Sequence, residues 1–188
     1  ERDIDPTDGI ALAAAVRESQ MHFDWSVDPP RLMLGSRDIS RTIREMNVSG
    51  VVSDVAAQPA LREVLVERQR RIAADHPRLV TEGRDQGSIV FPDAPVRFFL
   101  EADVDVRAGR RMEQLAAAGQ QVDRDQIIAD LQSRDRIDTT RPDGPLIKPD
   151  DAVVIDTSHR NVDEVVDEME AIVRRAIPDV RFESTVRR

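Results

Sequence analysis

Residues 79–101 read LVTEGRDQGSIVFPDAPVRFFLE. Two short apolar runs, Leu79–Val80 and Val96–Leu100, bracket the turn Gly83-Arg84-Asp85-Gln86-Gly87. Runs of this length between Gly and Pro suit buried strands of a parallel sheet, so strands are expected over 79–82 and 96–100. The charged pair then stands at the end of the first strand, and open α/β sheets bind ligands at the carboxyl ends of their strands. Arg offers a planar fork of donors for phosphate, and Asp accepts from amino or hydroxyl groups. Taken alone, a Gly-Arg-Asp turn is more simply a solvated ion pair. Its neighbours decide between the two.

Downstream, Asp103-Val-Asp105 opens a helix running through Ala118 to Gly119, with Arg107, Arg110 and Arg111 reachable from one side. A second helix is expected over 125–138, where Ile127, Ile128 and Leu131 form the apolar stripe. Arg134 and Asp138 stand at i, i+4 on it, a spacing that an ordinary surface ion pair would explain. Three prolines and a glycine make 139–149 a loop. Residues 152–155 form a buried strand entering Asp156-Thr157-Ser158, and 162–177 form the closing helix, followed by a charged tail expected to fray.

Upstream, Thr7-Asp8 caps a helix ending near Ser19. Residues 21–27 alternate apolar and polar, Asp28-Pro29-Pro30 interrupts, and 31–34 resume an extended run. A β-hairpin with a long loop is expected, and 21–47 is its inserted subdomain. Residues 48–57 stay ambiguous between helix and coil, because Gly50 and the valines oppose the helix that Val55-Ala56-Ala57 permits. Pro59 starts a helix with Leu61, Val64, Leu65 and Ile72 on one face and Arg62, Arg68, Arg70 and Arg71 on another. A basic face of this kind is usually just solvated.

The 188 residues suffice for one domain with a small insert. A net charge of −9 argues against general adhesion to nucleic acid or anionic membrane. Any anionic ligand needs local positive clusters, and these are made of Arg, since Lys148 is the single lysine. With no cysteine there is neither a disulfide nor a thiolate site, and His22, His76 and His159 lack metal-ligand spacing. No apolar run approaches a membrane span and no signal peptide is visible, so a cytoplasmic protein is expected; a monomer is also expected.

Four elements bring Arg toward one end of the expected sheet: the 59–72 helix, the Gly83–Gly87 turn, the Arg107–Arg111 helix, and Arg134 to Arg141. Arg repels Arg, so convergence in an acidic chain points to a polyanion between them. A phosphate-handling α/β protein is the physical reading, against the plainer one that these arginines serve solubility and helix pairing.

The run EGRDQGSIVFPDAPVRFFLEADVDVRAGRRM resembles the bacterial cytidylate (CMP/dCMP) kinases. The family's R-x-x-x-D-x-x-R stands here as Arg134, Asp138 and Arg141, and its Ser followed by Pro-x-x-Arg as Ser53 and Pro59-Ala-Leu-Arg62. Its C-terminal strand entering an Asp-Thr/Ser turn is matched by 153–158. The resemblance spans nearly the whole chain and implies an α/β fold, the P-loop nucleoside monophosphate kinase-like parallel sheet flanked by helices. It implies one domain over 1–188, with 21–47 as a nucleotide-binding insert and 107–123 as a lid. It further implies that Ser53, Arg62 and Asp85 read the cytosine, Asp85 accepting from the exocyclic amine. Arg84, Arg134 and Arg141 would hold the CMP phosphate and sugar region, with Asp138 on the ribose. Arg107 and Arg111 would clamp the ATP phosphates in the transition state, and Asp156, Thr157 and Ser158 would lie near the adenine. ATP would be the donor, with Mg²⁺ carried by the nucleotide and no metal site of the protein's own.

One departure is large. The family opens with a strand, a G-x-x-x-x-G-K-[ST] loop, a helix and a Tyr-Arg, and none of these occurs in the 188 residues. Together with a start at Glu1 rather than Met, this gives the expectation of a chain lacking its N-terminal strand and P-loop. The second reading is then a truncated, catalytically weak CMP-binding remnant.

Overall fold

The computed structural model describes residues 3–44, 46–117, 119–120 and 122–179. Ala118, Gln121 and the tail from Val180, which the sequence reading placed in helix, turn and frayed terminus, lie outside the described residues. The chain forms two compact units, 1–80 and 81–188.

In the first unit, α1 (Gly9–Glu18) starts where expected: the Asp8 carboxylate accepts from Ala11 N at 2.9 Å. It packs on α3 (Pro59–Asp75), with Ala13, Leu61 and Val64 buried. Strands β1 (Met21–Asp24) and β2 (Arg31–Leu34) form the antiparallel hairpin, in register Met21↔Leu34 to Asp24↔Arg31. β1 stops short of the expected Val27, because the Asp24 carboxylate turns back to Ser26 N at 3.0 Å. The loop 25–30 contains a cis Asp28–Pro29 bond, and its Trp25 ring stacks 4.1 Å from that of His76 at the end of α3. A third strand, β3 (Arg37–Asp38), pairs with β2 through a turn at Gly35, whose φ of 58° suits glycine. The ambiguous 48–57 segment is helical, as α2 (Met46–Ala56); Gly50 weakens a helix but does not forbid one.

The second unit carries a parallel sheet of β4 (Phe98–Glu101) and β5 (Val153–Asp156), paired Phe98↔Val153 to Glu101↔Asp156. Between them run α4 (Val104–Ala117) and α5 (Arg124–Thr140), and α6 (Val162–Ala176) follows. Val90, Ala108, Ile127, Ile155 and Val165 are buried. The strand expected over 79–82 does not form. A strand exists only through a neighbour's backbone, and among the described residues this segment has no ladder partner; Val80 is 91% exposed. The described parallel sheet is therefore narrower than the three strands expected.

Local signals set the helix ends. Asp123 accepts from Gln126 N at 3.0 Å to start α5. Asn161 and Glu164 exchange reciprocal 2.9 Å bonds in a capping box at α6. Arg174 and Arg175 occupy the last turn of α6, facing the negative end of its dipole. Asn161→Ala is expected to cost about 1 kcal/mol, read as a lowered urea midpoint with an unchanged slope.

Candidate active site

Without a preceding strand, the Gly83–Gly87 turn is held by the segment after it. Residues Gln86–Val90 form one wide helical turn, in which the Asp85 carbonyl accepts from both Ile89 N (2.9 Å) and Val90 N (3.1 Å). Val90 anchors that turn in the core at 2% exposure. Arg97, to which the sequence reading gave no role, is the second anchor. Its Nη1 donates to the Gly87 carbonyl at 3.1 Å, and its guanidinium also pairs with Asp151. A Cβ at Gly87 would lie 3.3 Å from Arg97 Cδ, so glycine admits this close approach. Asp85 sits at the head of the turn, and its side chain does not cap it. Backbone bonds thus fix the position of Asp85 at the head of the turn.

Arg84, Asp138 and Arg141 are brought together. Arg84 Nε donates to Asp138 Oδ2 at 2.8 Å, and Arg141 Nη1 lies 3.8 Å from Asp138 Oδ1. Arg141 Nε donates to the Gly144 carbonyl at 2.6 Å, and Leu146 N donates to the Asp138 carbonyl at 2.6 Å, folding the following loop over the group. The Asp138 and Arg141 side chains are each only 11% exposed, against 47% for Arg84. Two guanidiniums around one carboxylate leave one net positive charge. Arg84 uses a single donor here, so its Nη groups remain without a protein partner among the described residues. The i, i+4 pair of Arg134 with Asp138 does not form: Arg134 is exposed, while Asp138 takes Arg84 and, from the end of its own helix, Arg141.

Helix α4 packs on α5. Arg107 Nη2 meets Asp135 Oδ2 at 2.7 Å, and Arg107 Nε is buried with no hydrogen-bond partner. Leaving such a donor unmade costs about 1–3 kcal/mol. Arg111 is exposed, within 3.4 Å of Gln114. Arg110 turns to the other side, donating to Thr157 Oγ1 (3.0 Å) and to the Thr157 carbonyl (2.5 Å). The three arginines therefore do not act as one cluster.

The Asp156–Ser158 turn continues β5. Thr157 is buried and bonds the Glu101 carbonyl through N (2.8 Å) and Oγ1 (3.1 Å). Ser158 Oγ accepts from Asp103 N at 2.9 Å. The Ser158 hydroxyl and then its backbone N–H hold the Asp156 carboxyl below its ordinary value.

Ser53 and Arg62 belong to the first unit. Ser53 lies on α2, its side chain outside the described residues. Arg62 Nη1 reaches the Ala56 carbonyl at 3.5 Å. Two arginines of the basic face of α3 have partners within the first unit. Arg68 bonds Ser19 Oγ (3.3 Å) and the Ser19 carbonyl (3.4 Å) at the end of α1, and Arg71 pairs with Glu67 at 2.8 Å. Arg97 and Asp135 are the residues that sequence reasoning missed. Their partners lie far along the chain, so no spacing could have marked them.

The cytidylate kinase family profile matches residues 1–175. The chain is 42% identical over 172 residues to the cytidylate kinase of Mycolicibacterium paratuberculosis, covering 92% of this chain and 75% of that one. It is 42% identical over 176 residues to that of Nocardia farcinica (93% and 75%) and 42% over 166 residues to that of Corynebacterium glutamicum (88% and 72%).

Proposed function

Because the chain belongs to the cytidylate kinase family, and is by that membership a nucleoside monophosphate kinase, we propose that it transfers the γ-phosphoryl group of ATP to CMP or dCMP, giving the diphosphate and ADP. The observation that supports this most is the Arg84–Asp138–Arg141 group beside the Asp85 turn. It sets a net positive site, suited to a phosphate, next in the chain to the Asp85 carboxylate, which suits the exocyclic amine of cytosine. On this reading Arg84 and Arg141 hold the α-phosphate, and Asp138 fixes both guanidiniums and meets the sugar. Arg134, exposed on α5, joins them when the phosphate supplies the countercharge. Ser53 and Arg62 take part in base recognition. Arg107 and Arg111 neutralise charge on the transferring phosphoryl group, and Asp156, Thr157 and Ser158 border the adenine. Among the described residues no group of three or more His, Cys, Asp or Glu could hold a metal ion. On the proposed reading Mg²⁺ is carried by the ATP, as part of the substrate. No described helix is long and apolar enough to cross a membrane, and a cytoplasmic monomer remains part of this reading.

The base assignment has a direct test. A carboxylate only accepts, so it suits the exocyclic amine of cytosine and is left unpaired against the carbonyl of uracil; an amide can donate or accept. Asp85→Asn is expected to reduce the CMP-over-UMP preference by roughly tenfold to a hundredfold, as calorimetric affinities of the full-length gene product. An unchanged ratio would remove Asp85 from base reading.

A further inference from the structure

Asp135 has no role in the site as described so far, yet three observations single it out. Its ion pair with Arg107 is partly exposed, 33% on the Arg side and 38% on the Asp side. Pairs in that regime add little to stability, so stability does not account for it. Next, Arg107 is gripped at one edge only: Nη2 is bonded while Nε is buried without an acceptor. A desolvated donor of this kind marks a guanidinium whose placement is set by something other than its own hydrogen bonding. Finally, Asp135 stands one helical turn from Asp138 on α5, on the same face. Asp138 binds Arg84 and Arg141, and Asp135 binds Arg107. One turn of α5 therefore sets the spacing between the α4 arginine and the pair beside the Asp85 turn.

We infer that Asp135 is a positioning residue for phosphoryl transfer: its carboxylate holds the Arg107 guanidinium in register with Arg84 and Arg141, so that the exposed part of the guanidinium meets the donor's phosphates. Asp135 exchanges no proton and touches no substrate; it acts through Arg107. The inference rests on the lid role proposed for Arg107. The rival arrangement, in which Asp135 competes with phosphate for Arg107, has the opposite sign, since removing the competitor would raise kcat or lower the KM for ATP.

The test is a double-mutant cycle in steady-state kinetics of the full-length gene product with CMP and ATP. Asp135→Asn is expected to lower kcat about 10–100-fold, the scale of a misplaced positioning group, while leaving the KM for CMP near wild type. Asp135→Glu should recover part of the loss. In an Arg107→Ala background, Asp135→Asn should add nothing further. A readout independent of turnover is the ¹⁵N resonance of Arg107 Nε–H. On adding an ATP analogue it should shift in the wild type and less so in Asp135→Asn. Unchanged or raised kcat in Asp135→Asn, or additive effects in the cycle, would overturn the inference. Wild-type kcat in Arg107→Ala would overturn the lid assignment itself, and the inference with it. Should Asp135→Asn fail to fold, the Nε–H shift in Asp135→Glu decides: a resonance indifferent to nucleotide counts against it.

Discussion

Assayed as these 188 residues alone, the chain is expected to bind CMP yet turn over at least about 10²–10³-fold more slowly than the same chain with a strand–P-loop–helix segment placed ahead of Glu1. The residues proposed for the acceptor are all present, and Arg84, Asp138 and Arg141 are already assembled. The donor's β- and γ-phosphates are a different matter. On the proposed reading their cradle would be a run of backbone N–H groups, a lysine and a hydroxyl on Mg²⁺, and no G-x-x-x-x-G-K-[ST] occurs in these 188 residues. Removing one electrostatic group from a transition state already costs the factor stated, and several are involved. The measurement is coupled ADP release with CMP on both proteins, with CMP affinity by calorimetry. Robust turnover by the 188 residues alone, from a preparation free of host kinases, would mean that ATP is held by other residues. CMP binding without turnover in the native gene product would favour the second reading, a binding remnant.

Asp138→Ala is expected to lower stability by about 3 kcal/mol and to abolish measurable CMP binding. Arg84→Ala should weaken CMP and UMP alike, by about 10²-fold, with little change in stability. The contrast follows from burial. The Arg141 side chain is nine-tenths buried and would lose the Asp138 carboxylate, leaving a charge out of water with the Gly144 carbonyl as its partner among the described residues. Arg84 is half exposed, so its ion pair contributes little to folding, whereas a charge-assisted bond to phosphate is worth about 1.5–3 kcal/mol. Urea midpoints and nucleotide affinities on the same variants separate the two. Equal stability losses in both variants would show that the group is structural rather than a nucleotide site.

How far the chain could be read without its fold depends on how far each interaction reaches. Helix starts at Asp8, Asp123 and Asn161 are contacts over three residues, and all three are present. Of these, Asp8 was legible as a cap from type and spacing alone. The apolar runs at 96–100 and 152–155 became the paired strands β4 and β5, shifted by a residue or two. The run at 79–82, with only Leu79 and Val80 apolar, did not become a strand, because strand formation is decided by the neighbouring backbone as well as by the run itself.

Sequence by itself determined the inventory of the candidate site: a Gly-Arg-Asp turn, arginines in an otherwise acidic chain, a carboxylate at 138, and the order that marks the family. Only the tertiary structure decided which charge answers which. Spacing offered Arg134 to Asp138; the fold chose Arg84, 54 residues away, and Arg141. Spacing grouped Arg107, Arg110 and Arg111; the fold sent the first to Asp135, the second to Thr157, and left the third exposed. It also tied Arg68 to Ser19 and Arg97 to Gly87. The physical reason is that every neighbouring pair on a helix is worth only a few tenths of a kcal/mol, nearly the same for all candidates. Desolvation beside a particular partner is what separates them, and that partner is supplied by chain packing rather than by position along the chain.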